Sequence, residues 1–134
     1  MIKPELAQNN KYWIPRHRYY ELKHFCLQYP IWKKAYESLD SLSKSPTRLS
    51  IFSINKGDPV YRCFESREHF YDLLKMVESA CDETDESLSR YLLRAVTNGY
   101  TYEYLKMNYN IPCCREVYYE SYRRFFWILS KKRN

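Results

Sequence analysis

The stretch GYTYEYLKMNYNIPCCREVYYESYRRFFWILSK, residues 99–131, has the order of a helix-turn-helix. Gly99 predicts the left-handed end of a preceding helix, because glycine has no Cβ to strain a positive φ. Thr101 predicts the cap of a short helix that runs from Tyr102 to about Met107. The segment Asn108-Tyr109-Asn110 then predicts a tight turn, since asparagine tolerates the left-handed region.

A long final helix follows this turn. Ile111 is the apolar residue after the turn, and Pro112-Cys113 predicts the start of a helix that ends near Lys131. A helical wheel at about 100° per residue separates two faces. The predicted core face holds Cys114, Val117, Tyr118, Ser121, Phe125, Ile128 and Leu129. The predicted outer face holds Arg115, Glu116, Tyr119, Glu120, Arg123, Phe126, Trp127 and Ser130.

The first half of the outer face predicts a DNA-reading surface. Arginine can read guanine, glutamate can accept a hydrogen bond from cytosine, and tyrosine can touch a phosphate or a methyl group. The predicted groove-facing residues are Arg115, Glu116, Tyr119 and Arg123. The predicted phosphate contacts are Lys131, Lys132 and Arg133. The alternative is the ordinary polar face of an amphipathic helix. Because Phe126 and Trp127 do not fit DNA contact, they are predicted to pack on the N-terminal helices or on a second copy, as in a homodimer.

The remaining sequence predicts an all-α protein of five to six helices. Apolar residues recur at helical spacing in residues 31–42, 59–81 and 88–98, and turn-forming residues separate these segments. An earlier helix is predicted to begin at Pro15, because proline suits the first turn of a helix. The predicted helices span about residues 15–28, 31–42, 59–81 and 88–98, and the second could continue the first through a kink at Pro30. The predicted division is an aromatic-basic region 1–42, a connector 43–58 and a helical domain 59–134 with the helix-turn-helix at about 99–131. Within the connector, Leu49–Ile54 is β-prone and could form a short strand.

Composition narrows the function. The 134 residues include only 2 Gly, which excludes glycine-rich phosphate loops, and 15 Tyr. The tyrosines predict an aromatic core, with base stacking or partner contact as the alternative. Residues 1–36 carry a net charge of +5, residues 37–98 carry −3 and residues 99–134 carry +4. Basic ends favour an acidic partner, and double-stranded DNA is the first candidate.

The residues argue against an enzyme, a metal centre or a cofactor. The five cysteines, at 26, 63, 81, 113 and 114, have scattered spacing and predict free thiols, while zinc binding with the three histidines is the weak alternative. Three acidic residues at helical spacing, Glu65, Glu68 and Asp72, could hold a metal but are better explained as a solvated face. Because there is no secretory signal and no membrane-spanning run, a cytoplasmic location is predicted.

The C-terminal half resembles small prophage proteins of Gram-positive bacteria. The residues that carry this resemblance are Tyr91–Gly99, Tyr102–Leu105, Ile111–Cys113, Tyr118-Tyr119 and Arg123–Leu129. They resemble phage transcription regulators of the RinA/ArpU type, whose C-terminal part resembles the DNA-binding region 4 of sigma factors. The resemblance implies a DNA-binding transcriptional regulator in the cytoplasm of a bacterial host. The alternative function is a phage or mobile-element protein that binds a host protein such as RNA polymerase or a nuclease through its aromatic surface.

Overall fold

The structure is a computed structural model that describes residues 10–43 and 59–134. These residues form six helices and no strand, which confirms the predicted all-α fold. The helices are α1 (Arg16–Leu27), α2 (Tyr29–Ser43), α3 (Pro59–Thr84), α4 (Ser89–Asn98), α5 (Tyr102–Tyr109) and α6 (Arg115–Lys132). The β-prone segment 49–54 and the connector beyond Ser43 lie outside the described residues.

The chain divides into two compact units. The larger unit comprises Met1–Gln28, of which residues 10–28 are described, and Met76–Asn134. The other is Tyr29–Lys75, in which the rings of Tyr36 and Tyr71 lie 6.0 Å apart. This division differs from the predicted one, which grouped residues 1–42. Helix α1 belongs with the C-terminal helices, because its apolar side is covered by α4 and α6.

Helix α1 supplies one wall of the larger unit. Its buried residues are Tyr19, Leu22, Phe25 and Cys26, which recur at helical spacing on one side. The ring of Tyr19 meets the ring of Phe126 edge to face at 5.1 Å. Arg18 donates hydrogen bonds to the hydroxyl and the carbonyl oxygen of Ser130, at 3.1 and 2.9 Å. These contacts set the orientation of α6 against α1.

The acidic run between α3 and α4 is partly helical. The predicted helices at about 59–81 and 88–98 leave this run between them, but α3 continues without a break to Thr84. The turn is made by Asp85, whose carboxylate accepts hydrogen bonds from the backbone N–H groups of Ser87 and Leu88. Asp85 therefore stabilises the turn before α4, because short acidic side chains satisfy free N–H groups at such turns. Helix α4 itself begins after Leu88 without a side-chain cap.

The capping residues on either side of α5 agree with the prediction, although α5 continues to Tyr109, two residues beyond its predicted end. Gly99 ends α4 with φ 75°, and Asn110 follows α5 with φ 53°. The Thr101 side chain accepts a hydrogen bond from the backbone N–H of Tyr104 and so caps α5. Leu105 and Ile111 are fully buried. Local side-chain chemistry therefore determines where α5 begins and where the chain turns after it.

The predicted start and rotation of α6 are wrong. The helix begins at Arg115 with Cys114 as its cap, three residues after Pro112. Val117, predicted to lie in the core, is 46% exposed. Residues Tyr118, Tyr119, Phe125, Phe126 and Leu129 are buried. Because α1 covers the side that carries Phe126, the buried side of α6 is rotated relative to the predicted wheel by roughly three quarters of a residue's 100° step.

Candidate nucleic-acid interface

The junction between α5 and α6 is held by hydrogen bonds to the backbone. The hydroxyl of Tyr102 donates to the carbonyl oxygen of Cys113 at 2.6 Å. The ammonium of Lys106 donates to the carbonyl oxygen of Ile111 at 3.4 Å. The rings of Tyr102 and Tyr118 lie 5.6 Å apart, which ties α5 to the second turn of α6. These contacts position the first turn of α6 relative to α5.

The first turn of α6 is exposed and has no side-chain cap. Cys114 makes no capping hydrogen bond to the first backbone N–H groups of α6. The first three side chains of the helix, on Arg115, Glu116 and Val117, are exposed. A helix N-terminus with free N–H groups carries a partial positive charge and favours phosphate. This end of α6 is suited to an anionic partner.

Arg115 is exposed as predicted, but it has two partners inside the protein. Its guanidinium forms an ion pair with the carboxylate of Glu103 on α5 and lies 5.3 Å from the centroid of the Tyr119 ring. The side chains of the pair remain 50% and 58% exposed, so water still reaches both. An exposed pair of this kind is worth about 0.2–1 kcal/mol, which a phosphate or a guanine can replace.

Two of the four predicted groove-facing residues are less exposed than predicted. Tyr119 is 8% exposed, and Arg123 is half-buried with a buried Nε that has no hydrogen-bond partner. The predicted exposure of Tyr119 is therefore wrong, and Arg123 is only partly exposed. The exposed side chains in this part of α6 are Arg115, Glu116, Val117, Glu120 and Arg124. Sequence reasoning missed Val117 and Arg124, because aromatic residues lie on two sides of α6 and their spacing alone does not indicate which side faces the core.

Each of the three basic residues at the end of α6 contacts another side chain of the protein. The Nζ of Lys131 lies 3.5 Å from the centroid of the Trp127 ring. Lys132 forms an ion pair with Glu83 of α3. The guanidinium of Arg133 lies 3.9 Å from the centroid of the Phe25 ring on α1. All three residues are exposed, so their charges can still act on a distant phosphate. Their contacts inside the protein also stabilise the end of α6.

The two aromatic residues that did not fit DNA contact pack inside the unit. Phe126 is 1% exposed, and the ring of Trp127 lies 5.4 Å from the ring of Tyr12. The first of the two predicted alternatives, packing on the N-terminal region, therefore accounts for both rings.

A stacked group of tyrosines on α5 and in the turn before it was not predicted. The rings of Tyr100 and Tyr104 stack with centroids 4.1 Å apart, and the ring of Tyr109 lies 6.1 Å from that of Tyr100. The guanidinium of Arg94 covers Tyr109 at 4.4 Å. The recurrence of tyrosine at positions 100, 104 and 109 was the available signal. The group extends the exposed surface from α6 onto α5.

The thiols differ in burial and in ionisation. Cys26, Cys81, Cys113 and Cys114 are free, and Cys63 lies outside the residues whose side chains are described. Burial raises the pKa of Cys26 and of Cys81 above the ordinary range. No group of three or more metal-binding side chains occurs in the described part of the chain. The described residues also contain no helix that is long and apolar enough to cross a membrane.

Comparison with protein-family models, curated proteins and solved structures found no match to this chain.

Proposed function

We propose that the protein is a sequence-specific DNA-binding transcriptional regulator of phage or prophage type, which uses α6 as its recognition helix. The observation that carries the proposal is the exposed, uncapped first turn of α6, which follows a short helix and a tight turn. In helix-turn-helix proteins this part of the second helix contacts base edges in the major groove. The proposal assigns this role to the first three turns of α6.

The burial pattern changes the proposed reading residues. Arg115 and Glu116 remain proposed base-reading residues. Tyr119 and Arg123 are replaced in this set by three exposed residues, Val117, Glu120 and Arg124. Arginine reads guanine, glutamate accepts from the cytosine amino group, and an apolar side chain contacts the thymine methyl. Two arginines and two glutamates leave this face without net charge. It therefore contributes selectivity, and the chain's net charge of +6 contributes general attraction to DNA.

The test begins with selection of bound sequences from random duplexes. Arg115→Ala is expected to weaken binding to the selected duplex by about 5- to 150-fold and to relax the choice at one base position. Lys34→Ala, which removes the same charge from an exposed position on α2, is the matched control. It should lower binding to all duplexes slightly and equally. Absence of DNA binding at low salt, or equal effects of the two variants, would contradict the proposal.

A host protein such as RNA polymerase is the second candidate partner. The observation in its favour is the exposed apolar surface of α5, where Met107 is 89% exposed and Tyr104 is 42% exposed. Methionine is flexible and polarizable and is frequent at adaptable binding surfaces. Met107→Lys separates the two candidates, because it should abolish capture of purified RNA polymerase if that is the partner. The same variant should leave DNA binding unchanged or slightly stronger.

A further inference from the structure

The outward side of α1 carries two cations that flank one tyrosine ring. Arg16, Tyr20 and Lys23 recur at i, i+4 and i+7, so they form one row along the helix, called here the basic row. The Arg16 guanidinium lies 5.9 Å from the centroid of the Tyr20 ring, and the Lys23 ammonium lies 6.0 Å from it. Arg16 is exposed, and Tyr20 and Lys23 are half-buried. Contact with one ring holds both charges on the same side of α1.

The stability of α1 does not explain its basic start. A helix N-terminus carries a partial positive charge, so acidic side chains stabilise the first turn and basic side chains destabilise it. The first three residues of α1 are Arg16, His17 and Arg18, and this described turn contains no acidic residue. Pro15 precedes the helix and provides no side-chain cap. Charges that oppose the local preference of a helix are expected where a function requires them.

Little of this charge is neutralised within the protein. Residues 10–28 contain four Lys or Arg residues and one acidic residue, Glu21. Glu21 forms its ion pair with Arg18. Among the residues that the structure describes, neither Arg16 nor Lys23 has an ion pair. The basic row is therefore suited to an anionic partner from outside the chain.

The basic row lies beside the proposed recognition helix. Helix α1 packs against α6 through the edge-to-face contact of Tyr19 with Phe126 at 5.1 Å. Lys23 and Tyr119 border the same groove between the two helices, and the Arg115 guanidinium lies 5.3 Å from the Tyr119 ring. Packed helices lie about 8–10 Å apart, and the major groove of DNA is about 12 Å wide. When α6 occupies the groove, a helix packed beside it therefore lies over the phosphate backbone at the edge of the groove.

We propose that α1 is a second DNA-contacting element, whose Arg16 and Lys23 bind backbone phosphates beside the bases that α6 reads. This inference rests on the proposed function. Tyr20 restricts both cations to one side of α1, which reduces the conformational entropy that they lose on binding. Because a phosphate carries no information about the base, these contacts add affinity without adding selectivity. The basic row therefore differs in its role from Arg115, whose proposed contact selects a base.

The test measures the salt dependence of DNA binding by the full chain, for the wild type and for Arg16→Gln/Lys23→Gln. Each phosphate contact contributes about 0.9 to the slope of log K against log salt concentration, so the slope should become shallower by about 1.8. If both proteins bind equally at 1 M salt, this change corresponds to roughly 60-fold weaker binding at about 0.1 M salt. The loss should be the same on the selected duplex and on random duplexes, because the preference between them does not depend on the basic row.

Two control variants separate the position of the charge from its amount. Lys33→Gln/Lys34→Gln removes two charges from exposed lysines of α2 and should change the slope much less. Arg16→Lys/Lys23→Arg retains both charges and should retain the wild-type slope. Circular dichroism establishes that each variant is folded. If Arg16→Gln/Lys23→Gln is unfolded, Arg16→Gln alone should still make the slope shallower by about 0.9.

The outcomes distinguish this inference from the proposed function. Equal slopes for Arg16→Gln/Lys23→Gln and Lys33→Gln/Lys34→Gln, with wild-type DNA binding intact, would overturn the inference and leave the proposed function in place. A reduced preference of the α1 variant for the selected duplex would show that the row reads bases, which would also overturn it. Absence of DNA binding by the wild type at low salt would overturn both.

Discussion

Truncation of Phe126 tests the rotation of α6, on which the choice of DNA-facing residues depends. Phe126 is 1% exposed, and its ring meets the rings of Tyr19, Tyr122 and Phe125 edge to face at 4.9–5.1 Å. A buried aromatic side chain hides about 150–250 Å², which at about 25 cal/mol per Å² gives an upper limit near 4–6 kcal/mol. Because the alanine keeps part of this burial, Phe126→Ala should lower the free energy of unfolding by about 3–5 kcal/mol.

The matched control is Val117→Ala on the same helix. The sequence pattern places Val117 in the core and Phe126 outside it, whereas the structure has the reverse arrangement. The control should change the free energy of unfolding by no more than about 0.5 kcal/mol. Urea unfolding followed by circular dichroism measures both, and the Phe126→Ala midpoint should fall by roughly 1.5–2.5 M for a slope near 2 kcal/mol per M. The urea midpoint of Phe126→Leu should lie between the midpoints of Phe126→Ala and Val117→Ala. If Val117→Ala were the more damaging variant, the rotation of α6 described here, and with it the proposed reading face, would be wrong.

Three further measurements follow from the contacts described. Glu103→Gln should raise DNA affinity by about 1.5- to 5-fold, because it releases Arg115 from an exposed ion pair, and unchanged affinity in a binding titration would contradict this. Under native conditions a thiol reagent should label the exposed Cys114 well before the buried Cys26 and Cys81, and mass spectrometry of the labelled peptides would detect the opposite order. The free energy of unfolding should fall above about pH 8.5, because the unfolded chain loses thiol protons that burial retains in the native state. The fall should reach at most roughly 1.4 kcal/mol per pH unit for each buried thiol, and a flat profile in urea unfolding from pH 7 to pH 10 would contradict it.

The local features of the C-terminal half were predictable from sequence. Gly99 and Asn110 adopt the left-handed conformation, and Thr101 caps α5, because glycine, asparagine and threonine act through their own backbone and the next few residues. The apolar Ile111 is fully buried after the turn, as its position indicated. The all-α class followed from helical spacing repeated along the chain. None of these outcomes requires knowledge of distant residues.

Only the tertiary structure decided which side of α6 faces the core. Aromatic residues occupy so many positions between Tyr118 and Trp127 that two faces of the helix are apolar, and periodicity cannot choose between them. The choice is made by α1, more than 100 residues earlier in the chain, through Tyr19 against Phe126 and Arg18 against Ser130. Packing of these distant side chains buries Tyr119 and exposes Arg124, because only one rotation of the helix brings both contacts together.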